Sequence, residues 1–226
     1  MQLVDLLSET LDEDSQDVWE NERTPTPARR FGVRLHSLGL LIRETVAILE
    51  LLGVDRSHGA VWNWVHTLSE AQSDPPTATP SRVAVDEKQI EVGGEKKWLY
   101  AAVDIESKLL LEVDALSHPG TDPAAAFLHR LTEKHDVADS VFLVDAGGYL
   151  TALSRHDLSG RLDYRMRNHI EKWFQTVTMR IDRLHAFWRD SQSRAKQWLR
   201  RFRYHYNHER PNQALDGTTP AEVIQN

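Results

Sequence analysis

Residues 73 to 80 read Ser-Asp-Pro-Pro-Thr-Ala-Thr-Pro, and neither a helix interior nor a central strand can run through them. Proline offers no amide donor and pushes the residue before it out of helical geometry. The three prolines come with no apolar periodicity, so the stretch reads as a linker. The chain is therefore expected to fold as two units of different kind. Before the linker, apolar residues recur at helical spacing; after it, they alternate as in strands.

The part before the linker divides again. Residues 1–27 form an acidic arm carrying Asp5, Glu9, Asp12, Glu13, Asp14, Asp17, Glu20 and Glu22. Leu3, Leu6, Leu7 and Leu11 suit a short amphipathic helix within it. Thr24-Pro25-Thr26-Pro27 breaks the chain and begins a helical unit over residues 28–72. There Leu41, Ile42, Thr45, Val46, Leu49 and Leu52 make one apolar stripe, with Gly53 placed as the residue that ends the helix. Ser57 is placed to cap a second helix running through His58, Val61, Trp62, Val65 and Leu68. Two helices joined by a short glycine-containing turn match a helix-turn-helix, whose second helix enters the major groove of DNA. On that reading the outward side presents His58, Asn63, Trp64 and His66; an ordinary helical hairpin is the plain alternative.

Charge is unevenly spread. The net charge is −7, yet from Arg161 onward there are 13 Lys and Arg against 7 Asp and Glu, leaving 14 against 27 elsewhere. A basic region within an acidic chain points to phosphate more directly than the whole-chain charge does. Arg200, Arg201 and Arg203 are the densest cluster, and either phosphate contact or a solvated helix face accounts for them. Cysteine is absent, which excludes disulfides and thiolate zinc sites and fits a reducing compartment. No apolar run approaches the roughly 20 residues needed to span a bilayer, and the acidic N-terminus lacks a basic signal-peptide start. A cytoplasmic location without membrane partners is expected.

After the linker, Arg82 to Val92 alternates as a strand, Gly93-Gly94 turns it, and Trp98 to Ile105 and Leu109 to Leu116 complete a three-stranded meander. Thr121 or Asp122 caps a helix containing Phe127, Leu128 and Leu131. Val141 to Val144 is a short, wholly apolar strand, and Arg161 to Tyr164 is placed as a fifth. Long helices are expected over about 168–188 and 191–208. This order is that of a ribonuclease-H-like α/β core, a mixed five-stranded sheet with helices, over residues 81–226, preceded by the small all-α unit.

Three acids fall at informative places in that order: Asp86 within the first strand, Asp145 at the C-terminal end of the fourth, and Glu171 in the first turn of the long helix. Aspartate is depleted inside strands, and open α/β sheets place ligands at the C-terminal strand edge. Three carboxylates converging there repel one another unless a cation lies between them. A pair of Mg²⁺ ions meets that need with oxygen ligands alone, and the same arrangement serves in-line phosphoryl displacement. Taken singly, each acid also has a structural reading as a turn, cap or first-turn residue.

Five blocks, Val85-Asp86-Glu87-Lys88, Trp98-Leu99-Tyr100-Ala101-Ala102-Val103-Asp104, Phe142-Leu143-Val144-Asp145, Arg167-Asn168-His169-Ile170-Glu171-Lys172-Trp173-Phe174 and Tyr206-Asn207-His208-Glu209-Arg210-Pro211-Asn212-Gln213-Ala214-Leu215, resemble those of insertion-sequence DDE transposases with an integrase-type catalytic core. The short archaeal branch of the cointegrate-forming family is the nearest likeness, from about residue 30 to the C-terminus. The resemblance implies that Asp86, Asp145 and Glu171 are catalytic and hold two Mg²⁺ ions, with Mn²⁺ able to substitute. It also implies DNA cleavage and strand transfer at terminal inverted repeats by a homo-oligomer that engages double-stranded element ends and target DNA. Lys172, next to Glu171, and Arg180, the basic residue nearest to the seventh place after Glu171, join the arginine cluster as candidate DNA contacts.

The chain also departs from the family. Only 25 residues separate Asp145 from Glu171, shorter than is usual, and Thr178 stands where a basic residue is common. These departures keep open a decayed copy that only binds DNA; a different ribonuclease-H-like nuclease is the third reading. Asp104 is the rival to Asp86 as a ligand. Glu87 is expected on the opposite sheet face. His205 and His208 are read as packing or DNA-contact residues before a metal pair.

Overall fold

A computed structural model describes residues 22–71, 75–92, 94–163, 167–184 and 192–225. The acidic arm up to residue 21 lies outside them. The chain divides into two compact units, one up to Ser73 and the other from Asp74.

The first unit is a set of three helices, α1 (Thr26–Ser37), α2 (Ile42–Leu51) and α3 (His58–Ala71). Proline in the first turn of α1 costs no hydrogen bond, because amides there have no helical partner. Val33, Ile42, Val46, Leu49, Val61 and Trp64 form the core. Gly53 sits at φ 81°, the left-handed geometry its place after α2 requires. The Ser57 hydroxyl accepts the Ala60 amide at 3.2 Å and caps α3. Leu52, expected on the buried stripe, is 36% exposed, because α2 has already ended at Leu51.

The second unit is built on one sheet of five strands: β1 (Arg82–Val92), β2 (Glu95–Asp104), β3 (Leu110–Leu116), β4 (Val141–Val144) and β5 (Ser159–Leu162). Their spatial order is β3-β2-β1-β4-β5. The first three run antiparallel as a meander, whereas β4 pairs with β1 in parallel and β5 with β4 in parallel. β5 begins at Ser159, two residues before the expected Arg161. Helices α4 (Thr121–Lys134) and α5 (Gly147–Ser154) pack with one sheet face through Phe127, Leu128, Leu131, Tyr149 and Leu153, against Val83, Val85, Tyr100, Phe142 and Val144. A Cβ at Gly160 would lie 2.3 Å from Leu153 Cδ1, so any larger residue there would force the end of the Leu153 side chain to shift.

On the other side come α6 (Arg167–Leu184) and α7 (Gln192–Tyr204); a wide turn His205–Glu209 follows, and the last helix, α8 (Pro220–Gln225), returns Ala221 and Ile224 to the core shared with α4 and α5. Trp173 meets Phe174 and Phe202 edge-on, with centroids 5.1 and 6.2 Å apart, and Trp198 stacks on Phe202 at 5.2 Å. The expected single helix over 191–208 gives way after Tyr204, where the Arg210 amide bonds the His205 carbonyl five residues back.

This C-terminal segment closes the β3 edge of the sheet. Asn207, fully buried, accepts the Leu110 amide at 2.9 Å and donates to the Leu110 carbonyl at 3.0 Å, as a neighbouring strand would. Leu110 so occupied offers no free backbone group there for another chain to pair with. Beside it, buried Glu112 takes Lys134 at 2.8 Å and Arg203 at 3.3 Å. Replacing Asn207 with alanine strips both Leu110 groups of that partner in a dry site and should cost about 1–3 kcal/mol in urea unfolding. A stability within error of wild type would contradict the edge-closing role.

Candidate active site

Parallel pairing of β1 with β4 aligns Ala84 with Leu143. Two residues further along each strand, on the same sheet face, stand Asp86 and Asp145. Parallel pairing of β4 with β5 aligns Val144 with Leu162, and the Asp163 amide then donates to the Val144 carbonyl at 3.1 Å. Asp163 is thereby level with Asp145. A small open hollow at this edge is lined by Ala84, Asp86, Leu143, Asp145, Asp163 and Ile170, together with Val85 and Val144. All three aspartates are half-buried.

Their immediate partners differ. One Asp86 oxygen accepts the Glu87 amide at 2.8 Å. Asp163 is paired with Arg161 at 3.4 Å, a solvent-facing ion pair of small energetic weight. Glu87 lies on the α5 face, where the Tyr149 hydroxyl donates to it. Burial pushes the Glu87 carboxyl above its ordinary range; the Tyr149 bond pulls it back, and the charge of Asp145 pushes it up again. Burial and the Glu87 charge together raise the Tyr100 phenol to about 12.

Asp86 and Asp145 are thus brought together, and Glu171 is not part of the hollow's lining. The residue of α6 that faces it is Ile170, buried with Trp173, Phe174 and Val177 along the sheet-facing side of the helix. Glu171, about 100° round the helix from Ile170, sits on the flank. Asp163 was missed in the sequence, although a fifth strand parallel to the fourth already places a residue beside Asp145. Among the described residues, no three acidic, histidine or cysteine groups stand close enough to hold a metal ion by themselves. Mg²⁺ nevertheless commonly sits on one or two carboxylates with waters completing its shell. Oxygen donors from Asp86 and Asp145 on one hollow fit that mode of binding.

Asp104 is excluded as a rival ligand: it is buried at the β2–β3 turn, accepting the Glu106 amide at 3.0 Å and the Ser107 hydroxyl. His205 is buried with Nδ1 at 2.8 Å from Glu209, and His208 stacks on Tyr204 at 4.5 Å, so the two rings serve packing.

Several candidate DNA contacts are corrected by their burial. Trp64 is 1% exposed, part of the helical core, with its indole N–H donating to Glu22 at 3.2 Å. The core stripe of α3 is Val61, Trp64, Val65 and Leu68, leaving Trp62 at the surface, tilted against His66 at 4.7 Å. The sequence reading exchanged the two tryptophans. Arg201 is 1% exposed and paired with Glu209 at 2.6 Å; Arg203 is turned inward onto Glu112. A guanidinium committed to a buried carboxylate is not displayed to a phosphate. Arg180 is half-buried, bonded to the Thr176 carbonyl at 3.1 Å, with its guanidinium 5.5 Å from the Phe202 ring centroid. His58, Asn63 and Arg200 are exposed, and His66 is half-buried beside Glu70 at 3.4 Å. The Lys172 side chain lies outside the described residues.

No family model matches the chain. An uncharacterized protein of Methanocaldococcus jannaschii is 25% identical over 180 residues, covering 76% of this chain and 82% of that protein. Among solved structures, a chain of the simian T-cell lymphotropic virus intasome, in complex with PP2A regulatory subunit B56 gamma, matches with a TM-score of 0.52 at 12% identity, over 86% of this chain and 74% of that one. The HTLV-2 integrase catalytic core domain, in a structure with magnesium, gives 0.48 at 10% identity, over 65% and 97%. The strand order and the first of these structural matches agree on the fold: a mixed five-stranded sheet with helices, of ribonuclease-H-like arrangement.

The pair of buried Arg201 and half-buried Glu209 gives this region a pH signature. Burial alone would raise the Glu209 carboxyl; Arg201 and His205 outweigh it and hold the group down at about 2. With the folded value below the ordinary 4.5, its stabilisation is complete above about pH 4.5 and is lost as pH falls through about 2. Thermal melts between pH 4.5 and 2 should therefore show a steeper loss of stability in wild type than in Glu209→Gln. Equal slopes would contradict a paired, ionised Glu209.

Proposed function

We propose that the chain is a DNA transposase of an insertion sequence, carrying out metal-dependent strand cleavage and strand transfer at the element's terminal inverted repeats. The observation that carries this reading is the apposition of Asp86 and Asp145 on one face of the β1–β4 edge, lining one hollow. In a ribonuclease-H-like core this is the edge at which ligands are expected, and two aspartates there invite a divalent cation. Asp86 and Asp145 would hold Mg²⁺, with Mn²⁺ able to replace it, and Glu171 at the start of α6 would complete the set for a second ion. Such ions supply activation of an attacking oxygen and charge neutralisation on the leaving one.

The chain's own residues do the rest. Asp86 and Asp145 fix where a scissile phosphate can sit. Ile170 and Leu143 make the floor of the hollow apolar, which strengthens electrostatic interactions at its mouth. Exposed Arg200 is available to a DNA backbone, and exposed His58 and Asn63 near the start of α3 suit contacts at a groove if α2 and α3 work as a helix-turn-helix. No described helix is long and apolar enough to cross a membrane; cytoplasmic work on double-stranded DNA, as a homo-oligomer holding two ends, completes the proposal.

A second reading is a decayed copy that binds DNA without cutting it. It is favoured by Glu171 standing off the hollow and by Thr178 at the usual basic place. Both readings meet in one experiment, in which purified chain is incubated with labelled duplexes bearing the element's ends in Mg²⁺ or Mn²⁺. Wild type should nick the end and join its 3′-OH to target DNA. Asp145→Asn should lower the rate at least about a hundredfold while end binding stays within about threefold, as expected when only transition-state stabilisation is removed. Wild type that binds ends but makes no product identifies the decayed copy; an Asp145→Asn protein of full activity overturns the assignment of the site.

A further inference from the structure

The hollow holds Asp86 and Asp145 on two chain segments whose ladder pairing stops short of both. The last aligned residues of β1 and β4 are Ala84 and Leu143. Beyond them β1 continues and stays held by β2, whereas β4 ends at Val144. Asp145 is thus the first residue of an unpaired exit, followed by Ala146 and then by Gly147-Gly148, the two most permissive residues the backbone could use. Like charges on Asp86 and Asp145 push that exit away from β1. A restraint is needed on the Asp145 side of the pair.

It comes from behind the sheet. Tyr149, in the first turn of α5, is 3% exposed, and its ring lies edge-on to Tyr100 with centroids 6.4 Å apart. Tyr100, fully buried, is the direct cross-strand partner of Glu87 in the β1–β2 ladder. The Tyr149 hydroxyl reaches past this ring and donates to the Glu87 carboxylate. Glu87 is the residue next to Asp86, and Tyr149 is four residues after Asp145. The hydrogen bond therefore closes a short ring through Asp86, Glu87, Tyr149 and Asp145, with the glycine pair inside it.

We propose that the Glu87–Tyr149 hydrogen bond is a brace that sets the separation of Asp86 and Asp145, making Glu87 and Tyr149 positioning residues for the cation site. The inference rests on the reading of Asp86 and Asp145 as cation ligands. The brace works from the sheet face opposite the hollow, so neither residue touches the cation. Ring burial alone anchors α5; the hydroxyl adds the directional link to β1. Loss of that link should free the Asp145 exit without unfolding the core.

The test is Mn²⁺ binding to the full chain, followed by the paramagnetic resonance signal of free Mn²⁺, together with hydrogen exchange of the amides of residues 146–150. Tyr149→Phe keeps the buried ring and removes the hydroxyl. It should weaken Mn²⁺ binding by about tenfold, the order of one lost hydrogen bond, and speed exchange in 146–150 while the thermal midpoint of the core changes little. Glu87→Gln keeps an acceptor for the hydroxyl and should bind Mn²⁺ within about twofold of wild type, whereas Glu87→Ala should match Tyr149→Phe, and the double variant should be no weaker than either single one. Wild-type affinity and exchange in Tyr149→Phe would overturn the brace. So would equal losses in Glu87→Gln and Glu87→Ala, which would make the Glu87 charge, and not its hydrogen bond, the cause. If Asp145→Asn leaves wild-type Mn²⁺ binding unchanged, the cation-site reading is what fails, and with it the brace's role toward a cation; exchange in 146–150 then decides whether the bond restrains the exit at all.

Discussion

Parallel hydrogen bonding of β1 to β4 decides where the charged groups of the core end up. An antiparallel meander could leave Asp86 alone on an internal strand, where a lone carboxylate has no favourable partner. The crossover through α4 returns β4 alongside β1 in the same direction, so both strands end their pairing at the same edge and both deliver an aspartate there. β5, parallel again, adds Asp163. Concentrating negative charge in this way opposes folding through repulsion, and a bound cation, as proposed above, would offset it.

The rest of the fold stiffens that edge and shields the opposite one. The α4–α5 layer fills one face with Phe127, Leu128, Tyr149 and Leu153, and the aromatic set of α6 and α7 belongs to the other side of the core. At the far end of the sheet, Asn207 stands in for a strand on β3, and Glu112 gathers Lys134 and Arg203. Breaking a buried ion pair costs far more than a surface pair contributes, so these arginines belong to the architecture. The basic count after residue 161 is accordingly a poor measure of surface charge: two of its arginines are themselves buried against the carboxylates of Glu112 and Glu209.

Strand order, crossover and the meeting of Asp86 with Asp145 were legible in the sequence because alternation, a wholly apolar short strand and proline punctuation are local signals. What was not legible depended on facing. Trp62 and Trp64 are two residues apart, and only the packing of α1 and Glu22 around Trp64 decides which is buried. Arg201 and Arg203 look alike as text, and their partners Glu209 and Glu112 are set by the turn after Tyr204 and by an edge strand some ninety residues earlier. Glu171 lies one residue from the position that faces the hollow, a difference of about 100° on a helix. Helix α5 was hidden by Gly147-Gly148 in its first turn, poor helix formers that tertiary packing of Tyr149 and Leu153 overrides. Asp163 went unnoticed since a four-residue exposed strand gives little periodicity.

The claim on which everything turns is that the β1–β4 edge is a divalent-cation site. Anomalous diffraction from crystals of the chain grown with Mn²⁺ tests it directly. Density should appear between Asp86 and Asp145, about 2 Å from a carboxylate oxygen of each. Ordered Mn²⁺ found only elsewhere on the surface, with this hollow empty at saturating metal, would contradict it.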